Sequence, residues 1–314
     1  MKFFQLVPTN TNFDFISKAP VFIGASVVIL VALIIGINTK GFNYGIDFTG
    51  GTVMQVKFAD PTPSDQVRDL MKELGAPEAS VVSSDNTNQE YLITSRGATE
   101  ESKGVALADQ LRQKLGNKVT IEKSDVVGPK VGKQLKSSAI LSLFLSILLI
   151  MIYIWLRFDV RFAPGATVAM VHDLTMAAGF YFITGTEFTI TSIAVLLTIA
   201  GYSVNDTIVI YDRVRENYKR GGTDNLNLMI NRAVNQTLSR TILTSLVTLI
   251  SVVPIAILCE GELRSFALAM CVGIFVGSYS TIYIASPFTI YVEKFINWRN
   301  KKNGVNVPRK FSTT

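Results

Sequence analysis

Six apolar runs of bilayer length decide what this chain can become. A hydrocarbon core about 30 Å thick needs about 20 apolar residues in a helix. The runs Pro20–Asn38, Ser137–Leu156, Phe162–Ile183, Phe188–Tyr211, Thr241–Cys259 and Ser265–Tyr291 all reach that length. Composition agrees: hydrophobic residues make up 48% and charged residues only 17% of 314. Mean hydropathy is +0.34, and the apolarity is gathered in blocks, as in a membrane protein rather than a soluble domain. The first run follows Lys18 and leads into Ile37-Asn-Thr-Lys40 without a small-residue cleavage site. It reads as an uncleaved anchor over residues 19–38, not a signal peptide.

Charges between the runs set an orientation, because cytoplasmic loops collect Lys and Arg. Arg157 and Arg161 lie between runs two and three. Arg213, Arg215, Lys219, Arg220, Arg232 and Arg240 lie between runs four and five. Lys294, Arg299, Lys301, Lys302, Arg309 and Lys310 follow run six. The opposite side holds Glu187, Glu260 and Glu262 with Arg264. Residues 1–18, the loop 212–240 and the tail 292–314 are therefore expected in the cytoplasm. This distribution accounts for the pI of 9.2 without nucleic acid, since no basic patch is interleaved with aromatics.

Residues 39–136 form the one sizeable polar segment, expected outside, with thirteen Lys or Arg against thirteen Asp or Glu. Thr52–Phe58 alternates like a strand. Pro63-Ser64 opens an amphipathic helix through Leu74, stopped by Gly75 and Pro77. Ser80–Ser83 and Glu90–Ser95 read as short strands, Glu100–Leu115 as a second helix and Lys118–Val127 as a last strand. The order β-α-β-β-α-β is that of a ferredoxin-like split βαβ unit. About 100 residues are enough for one small core. The expected fold class is thus a six-helix membrane bundle, residues 137–291 holding spans two to six, with a small external α+β domain after span one.

Two other segments show helical spacing. Beyond Gly221-Gly222, residues Leu226, Met229, Ile230, Ala233, Val234 and Leu238 recur on one face. They predict either a helix lying on the membrane surface or a solvated connector. Phe3, Phe4, Phe13, Phe15 and Ile16 suggest a similar interfacial segment at the N-terminus. Pro164, Pro254 and Pro287 are expected to cap or kink their spans. Gly273-Ile-Phe-Val-Gly277 permits close helix contact.

Run four carries the chemistry. Asn205 and Asp206 sit inside it, and a carboxylate in a lipid-embedded helix costs roughly 2.5–3.5 kcal/mol on insertion scales. Such a residue needs a partner or a water path. Helical spacing puts Ile199, Tyr202, Ser203, Asp206 and Arg213 roughly on one face. An Asp set between a desolvating surround and a cation can exchange a proton. A static alternative makes Asp206 the partner of Arg213 or Arg240. Arg213 is two turns away, about 10 Å by helix rise, beyond a tight pair. Arg240 opens run five from the same side and is long enough to reach upward. In run three the single histidine, His172, adjoins Asp173. The two point about 100° apart on a helix, so they need not bond each other. A proton path, a helix contact and a structural hydrogen bond all stay open for them.

Cys259 and Cys271 make no disulfide framework, and no Cys/His cluster has metal spacing. Neither metal nor cofactor is expected. There is no Walker A loop, GxSxG or HExxH motif, so the chain is not read as an enzyme. The available energy source is an ion gradient, whose electrical part supplies about 2.3 kcal/mol per charge per 100 mV.

The stretch Gly41-Phe-Asn-Tyr-Gly-Ile-Asp-Phe-Thr-Gly-Gly-Thr52 resembles a hallmark of the SecF family, subunits of the bacterial SecDF protein-export complex. Val126-Val-Gly-Pro-Lys-Val-Gly132, His172-Asp173, Gly201-Tyr-Ser-Val-Asn-Asp206, Tyr211-Asp-Arg-Val-Arg-Glu-Asn217 and Asn235-Gln-Thr-Leu-Ser-Arg-Thr241 continue the likeness over nearly the whole chain. The resemblance implies half of a resistance-nodulation-division transporter that pairs with SecD. It implies work beside the SecYEG channel, with SecA as the cytoplasmic motor and YajC and YidC as neighbours. The proton-motive force would then help draw preproteins out across the inner membrane. It also implies that Asp206, its neighbour Asn205 and Arg240 belong to a proton path completed by an acidic residue of SecD. His172, Asp173, Arg213, Tyr202 and Ser203 are expected as intramembrane polar support, and Gly273 and Gly277 as packing residues. Two rivals remain: a small-molecule or lipid exporter of the same superfamily, which usually has about twice the spans in one chain, and a scaffold that only stabilises SecD.

Overall fold

The computed structural model describes residues 11–83, 87–96, 101–158, 161–220 and 225–303. Phe3, Phe4, the Gly221-Gly222 pair and the tail beyond 303 lie outside the described residues. Six helices are long and apolar enough to cross a membrane. They are α1 (Ala19–Lys40), α5 (Pro129–Arg157), α6 (Ala163–Thr184), α7 (Ile190–Lys219), α8 (Leu226–Leu258) and a final pair, α9 (Gly261–Ser280) and α10 (Ser286–Lys302), joined by a π-helical turn at Thr281–Ala285. Among these, α6, α7 and α9–α10 bury half or more of their most apolar stretch, while α1 and α5 remain largely exposed on the flanks. Pro164 and Pro287 stand in the first turns of α6 and α10, where a missing N–H costs nothing, and Pro254 lies inside α8.

Helix lengths depart from several of the apolar runs. The polar residues from Pro129 to Lys136 continue α5 beyond the bilayer run, with Pro129 at its first turn. The segment read as a surface helix or connector is neither: residues from Leu226 onward are the first turns of one 33-residue helix, α8. That helix is about 50 Å long by its rise, against a core of about 30 Å. Most of the expected loop 212–240 is helix as well, since α7 runs to Lys219.

Between α1 and α5 lies the small domain: α2 (Ile46–Thr49), β1 (Gly51–Phe58), α3 (Ser64–Glu73), β2 (Ser80–Ser83), β3 (Glu90–Arg96), α4 (Glu101–Leu115) and β4 (Val119–Val127). The sheet order is β2-β3-β1-β4, antiparallel throughout, with β1 shifting register against β4 between Gln55 and Val56. This is the ferredoxin-like arrangement expected from the element order. Alternation sends Met54, Val56, Tyr91 and Ile93 to one face, where they bury against Val67, Met71 and Leu111 of the two helices. The other face, with Val53, Gln55 and Leu92, lines a cleft of about 1200 Å³ closed by Glu187, Glu260 and Glu262 at the helix ends. Lys123 on this face pairs with Asp125 at 2.7 Å. That hydrogen bond, reinforced by the carboxylate's charge, holds the ammonium pKa above its ordinary value.

The two glycine-bearing motifs meet where domain and bundle join. Gly50 has φ +75°, and a Cβ there would stand 3.1 Å from Pro129 Cα. A Cβ on Gly132 would stand 3.2 Å from Gly50 N and Phe48 O. Only glycine lets these backbones approach so closely. The same loop reaches α7: Gly45 N donates to Phe188 O (2.9 Å), Phe188 N to Asn43 O (2.8 Å), and Ile190 N to Asp47 Oδ2 (2.9 Å). A carboxylate at a helix N-terminus satisfies a free N–H and complements the dipole. The domain thus holds the first turn of the helix that carries Asp206.

Candidate functional site within the helix bundle

Asp206 lies about 24 Å along α7 from Ile190, by helix rise. Its side chain is buried, only 3% exposed, and its Oδ2 has no hydrogen-bond partner among the described residues. Arg240 on α8 acts on it electrostatically. No ion pair joins the two, and Arg240 is exposed. Arg213 is engaged elsewhere: its Nε donates to Gln236 Oε1 at 2.7 Å, and its Nη1 pairs with Glu216. The static Asp206–Arg213 partnership is therefore absent, and Arg213 instead pins the basic end of α7 to α8.

Asn205 points the other way. It is exposed, on a line with Ala194, Thr198 and Gly201 along α7. A stripe of small and polar residues on a lipid-level helix is the pattern of a helix–helix contact surface. Within this chain Asn205 does not join the buried polar cluster.

That cluster centres on Asp173, which is fully buried near the middle of α6. His172 Nδ1 lies 2.8 Å from its Oδ1. Its Oδ2 accepts from Ser203 Oγ on α7 (2.5 Å) and from Ser280 Oγ on α9 (2.7 Å). The adjacent side chains do bond, although their helical directions differ, because both lean into the same gap. Thr207, next to Asp206, shares a hydrogen bond of 3.1 Å with Thr281, the first residue of the π turn. Tyr202 Oη donates to Ser245 Oγ on α8 (3.1 Å), and Ser245 bonds Ser278 on α9 (2.7 Å). Polar side chains therefore run across α6, α7, α8 and α9 at the depth of Asp206. Ser245, Ser278, Ser280 and Thr281 escaped the sequence reading. Their signal was hydroxyls placed mid-run in otherwise apolar spans.

Gly273 and Gly277 set the distance between α7 and α9. A Cβ on Gly273 would fall against Ile199, only 3.1 Å from its Cγ2 and closer still to Cδ1 and Cγ1, and one on Gly277 would stand 3.2 Å from Ser203 Cβ. Close approach of these helices is what lets Ser203 and Ser280 reach one carboxylate. Cys259 and Cys271 are free thiols. Among the described residues, no group of three or more His, Cys, Asp or Glu is placed to hold a metal.

Residues 107–295 match the family described as protein export membrane protein SecD/SecF, C-terminal, and residues 35–62 match its GG motif. The chain is similar to the protein translocase subunit SecF of Calditerrivibrio nitroreducens, 37% identical over 95% of this chain and 99% of the relative. It is 39% identical to the translocase subunit SecDF of Brucella abortus over 91% of this chain and 38% of that longer protein. A crystal structure of SecDF from Thermus thermophilus, a translocon-associated membrane protein, superimposes with a TM-score of 0.80 at 35% identity, covering 94% of this chain and 40% of the other. A SecDF structure in a super-membrane-facing form gives 0.70.

Proposed function

The chain belongs to the SecD/SecF family of protein-export membrane proteins, and on that premise we propose that it is a proton-driven accessory subunit of the Sec translocase. It pairs with a SecD-type chain in the bacterial inner membrane and promotes the late, outward stage of preprotein passage through SecYEG after SecA has acted. Its basic helix ends and both termini face the cytoplasm, as loop charge dictates. It hydrolyses nothing itself. The observation that carries this reading is Asp206, a buried carboxyl group with an unpartnered oxygen at membrane depth.

Asp206 takes up and releases a proton in turn, and the change of charge alters its attraction to Arg240 and to the partner chain. Arg240 and the Asn205 stripe are exposed in this chain, so that SecD-type helices packed against them would complete the path. Movement leaves the site through α7, whose first turn is held by Asp47 of the external domain. Such coupling needs two packings whose balance the proton shifts. The test is Asp206→Asn, close to isosteric with the neutral acid. The variant is expected to fold and to copurify with its SecD-type partner, yet to lose the gradient-dependent part of export in energised vesicles. Export stimulation at the wild-type level would overturn the reading.

A further inference from the structure

The cluster around Asp173 holds a buried nitrogen that no contact explains. His172 is 3% exposed, its Nδ1 is bonded to Asp173, and its Nε2 has no hydrogen-bond partner among the described residues. Asp173 Oδ2 already accepts from two serines, so its lone pairs on that side are filled. The arrangement that satisfies every donor places a proton on Nδ1, shared with a carboxylate, and leaves a bare lone pair on Nε2. In that state the buried pair carries one negative charge.

From this geometry we propose that His172 and Asp173 form a second proton-holding site, loaded at His172 Nε2, that latches α7 to α6 and α9. This deepens the proton-coupled reading and rests on it. A proton delivered from water binds the Nε2 lone pair. The Nδ1 proton stays in place, so imidazole becomes imidazolium and the pair passes from one negative charge to none. Loading spends the carboxylate's charge on its own imidazolium and slackens its hold on Ser203 and Ser280. Charge-assisted hydrogen bonds are the strong ones, so the unloaded pair grips α7 and α9 and the loaded pair lets them slide.

Two features place the latch on the working helices. Ser203 stands one turn before Asp206 on α7, so the gripped residue and the proton-exchanging residue move together. Ser280 immediately precedes the π turn, whose opened ladder is closed partly by Ser286 Oγ donating to Thr281 O at 2.8 Å. Single π turns recur at functional sites in helices. On α9 the ring of Tyr279 faces the pair, its centroid 6.2 Å from the imidazole, with Tyr283 beyond it, 5.5 Å from Tyr279; on α7 the nearest carboxyl group along the helix is Asp206, one turn past Ser203. From α1 the hydroxyl of Ser26 bonds Tyr279 at 2.9 Å. The charged residues of α5 and α10 lie at the basic end, Arg157 paired with Asp212 of α7 and Glu293 with Arg161 before α6.

The chain has one histidine, so ¹⁵N-histidine NMR of the full chain in lipid nanodiscs reports His172 alone. The expected result is an Nδ1 protonated throughout and an Nε2 that passes from bare to protonated as the pH is lowered. An Nε2 fixed in one state at every pH at which the chain stays folded overturns the proposal. The functional arm uses His172→Asn, which keeps an N–H donor near Asp173 but cannot be protonated. In vesicles containing the partner and channel, this variant is expected to copurify normally and to lose the pH dependence of export stimulation. Wild-type stimulation with an unchanged pH profile reduces the pair to a structural bond. If Asp206→Asn is silent, the proton-coupled reading falls by itself, and the histidine titration still decides whether the pair binds a proton.

Discussion

Replacing Gly273 with alanine tests whether the spacing of α7 and α9 is as tight as the polar cluster requires. The new Cβ would sit no farther than 3.1 Å from any of Ile199 Cγ2, Cγ1 and Cδ1, whereas carbon pairs settle at about 3.5–4.0 Å. Ile199 is 1% exposed and has no room to swing aside, so the helices must part. Overpacking of this kind costs about 1–3 kcal/mol, offset by at most about 1 kcal/mol of gained helix propensity. Gly24→Ala on α1 isolates the propensity gain, because nothing lies within 4 Å of a Cβ there. Unfolding of the purified chain in mixed micelles should therefore show Gly273→Ala less stable than Gly24→Ala by about 1–3 kcal/mol. Ile199→Ala alone should cost about 2–5 kcal/mol. Combined with Gly273→Ala it should cost less than the sum, with a coupling of about 0.5–3 kcal/mol. Because the displaced helices carry Ser203 and Ser280, export stimulation should fall with stability. Equal stability of the two alanine variants, with additive effects in the pair, would refute the reasoning.

Asp47→Ala removes the carboxylate at the start of α7 and should lower stability by about 0.5–2 kcal/mol. The same change should cut export stimulation with Asp206 intact, and stimulation unchanged at the expected stability loss would show that the domain does not transmit through α7. At the basic end, Asn235 Oδ1 accepts from Phe13 N (2.8 Å) and its Nδ2 donates to Phe13 O (2.9 Å). Asn235→Ala should free the N-terminal segment, seen as faster amide exchange around Phe13–Phe15, while the exchange of α1 stays as it was. Equal protection in both proteins would contradict the tether.

Much of the architecture could be read from residue order. Strand alternation placed β1 to β4 within a residue or so, and bilayer length placed all six spanning helices. Both signals are local and strong. Helix ends beyond the bilayer were not legible, because no local breaker marks them: nothing between Leu238 and Thr241 stops α8, so an amphipathic segment and a span fuse. The site was legible only in part. Asp206 stood out through its cost in lipid, and Gly273 through spacing. The bond between His172 and Asp173 was not legible, since helical directions separate neighbours while rotamers can reunite them. Ser203 gained its meaning only when Ser280 arrived from 77 positions downstream. Arg213 matched the face of Asp206 by spacing, yet Gln236 and Glu216 hold it, a contact that depends on how α8 lies.

Proton coupling is tested most directly by infrared difference spectroscopy of the complex with its SecD-type partner and channel, using Asp206→Asn to assign the carboxyl band. A working complex should show the Asp206 acid band appear and vanish as the gradient is imposed and collapsed, in step with export. A band fixed in one state while gradient-driven export continues would contradict it.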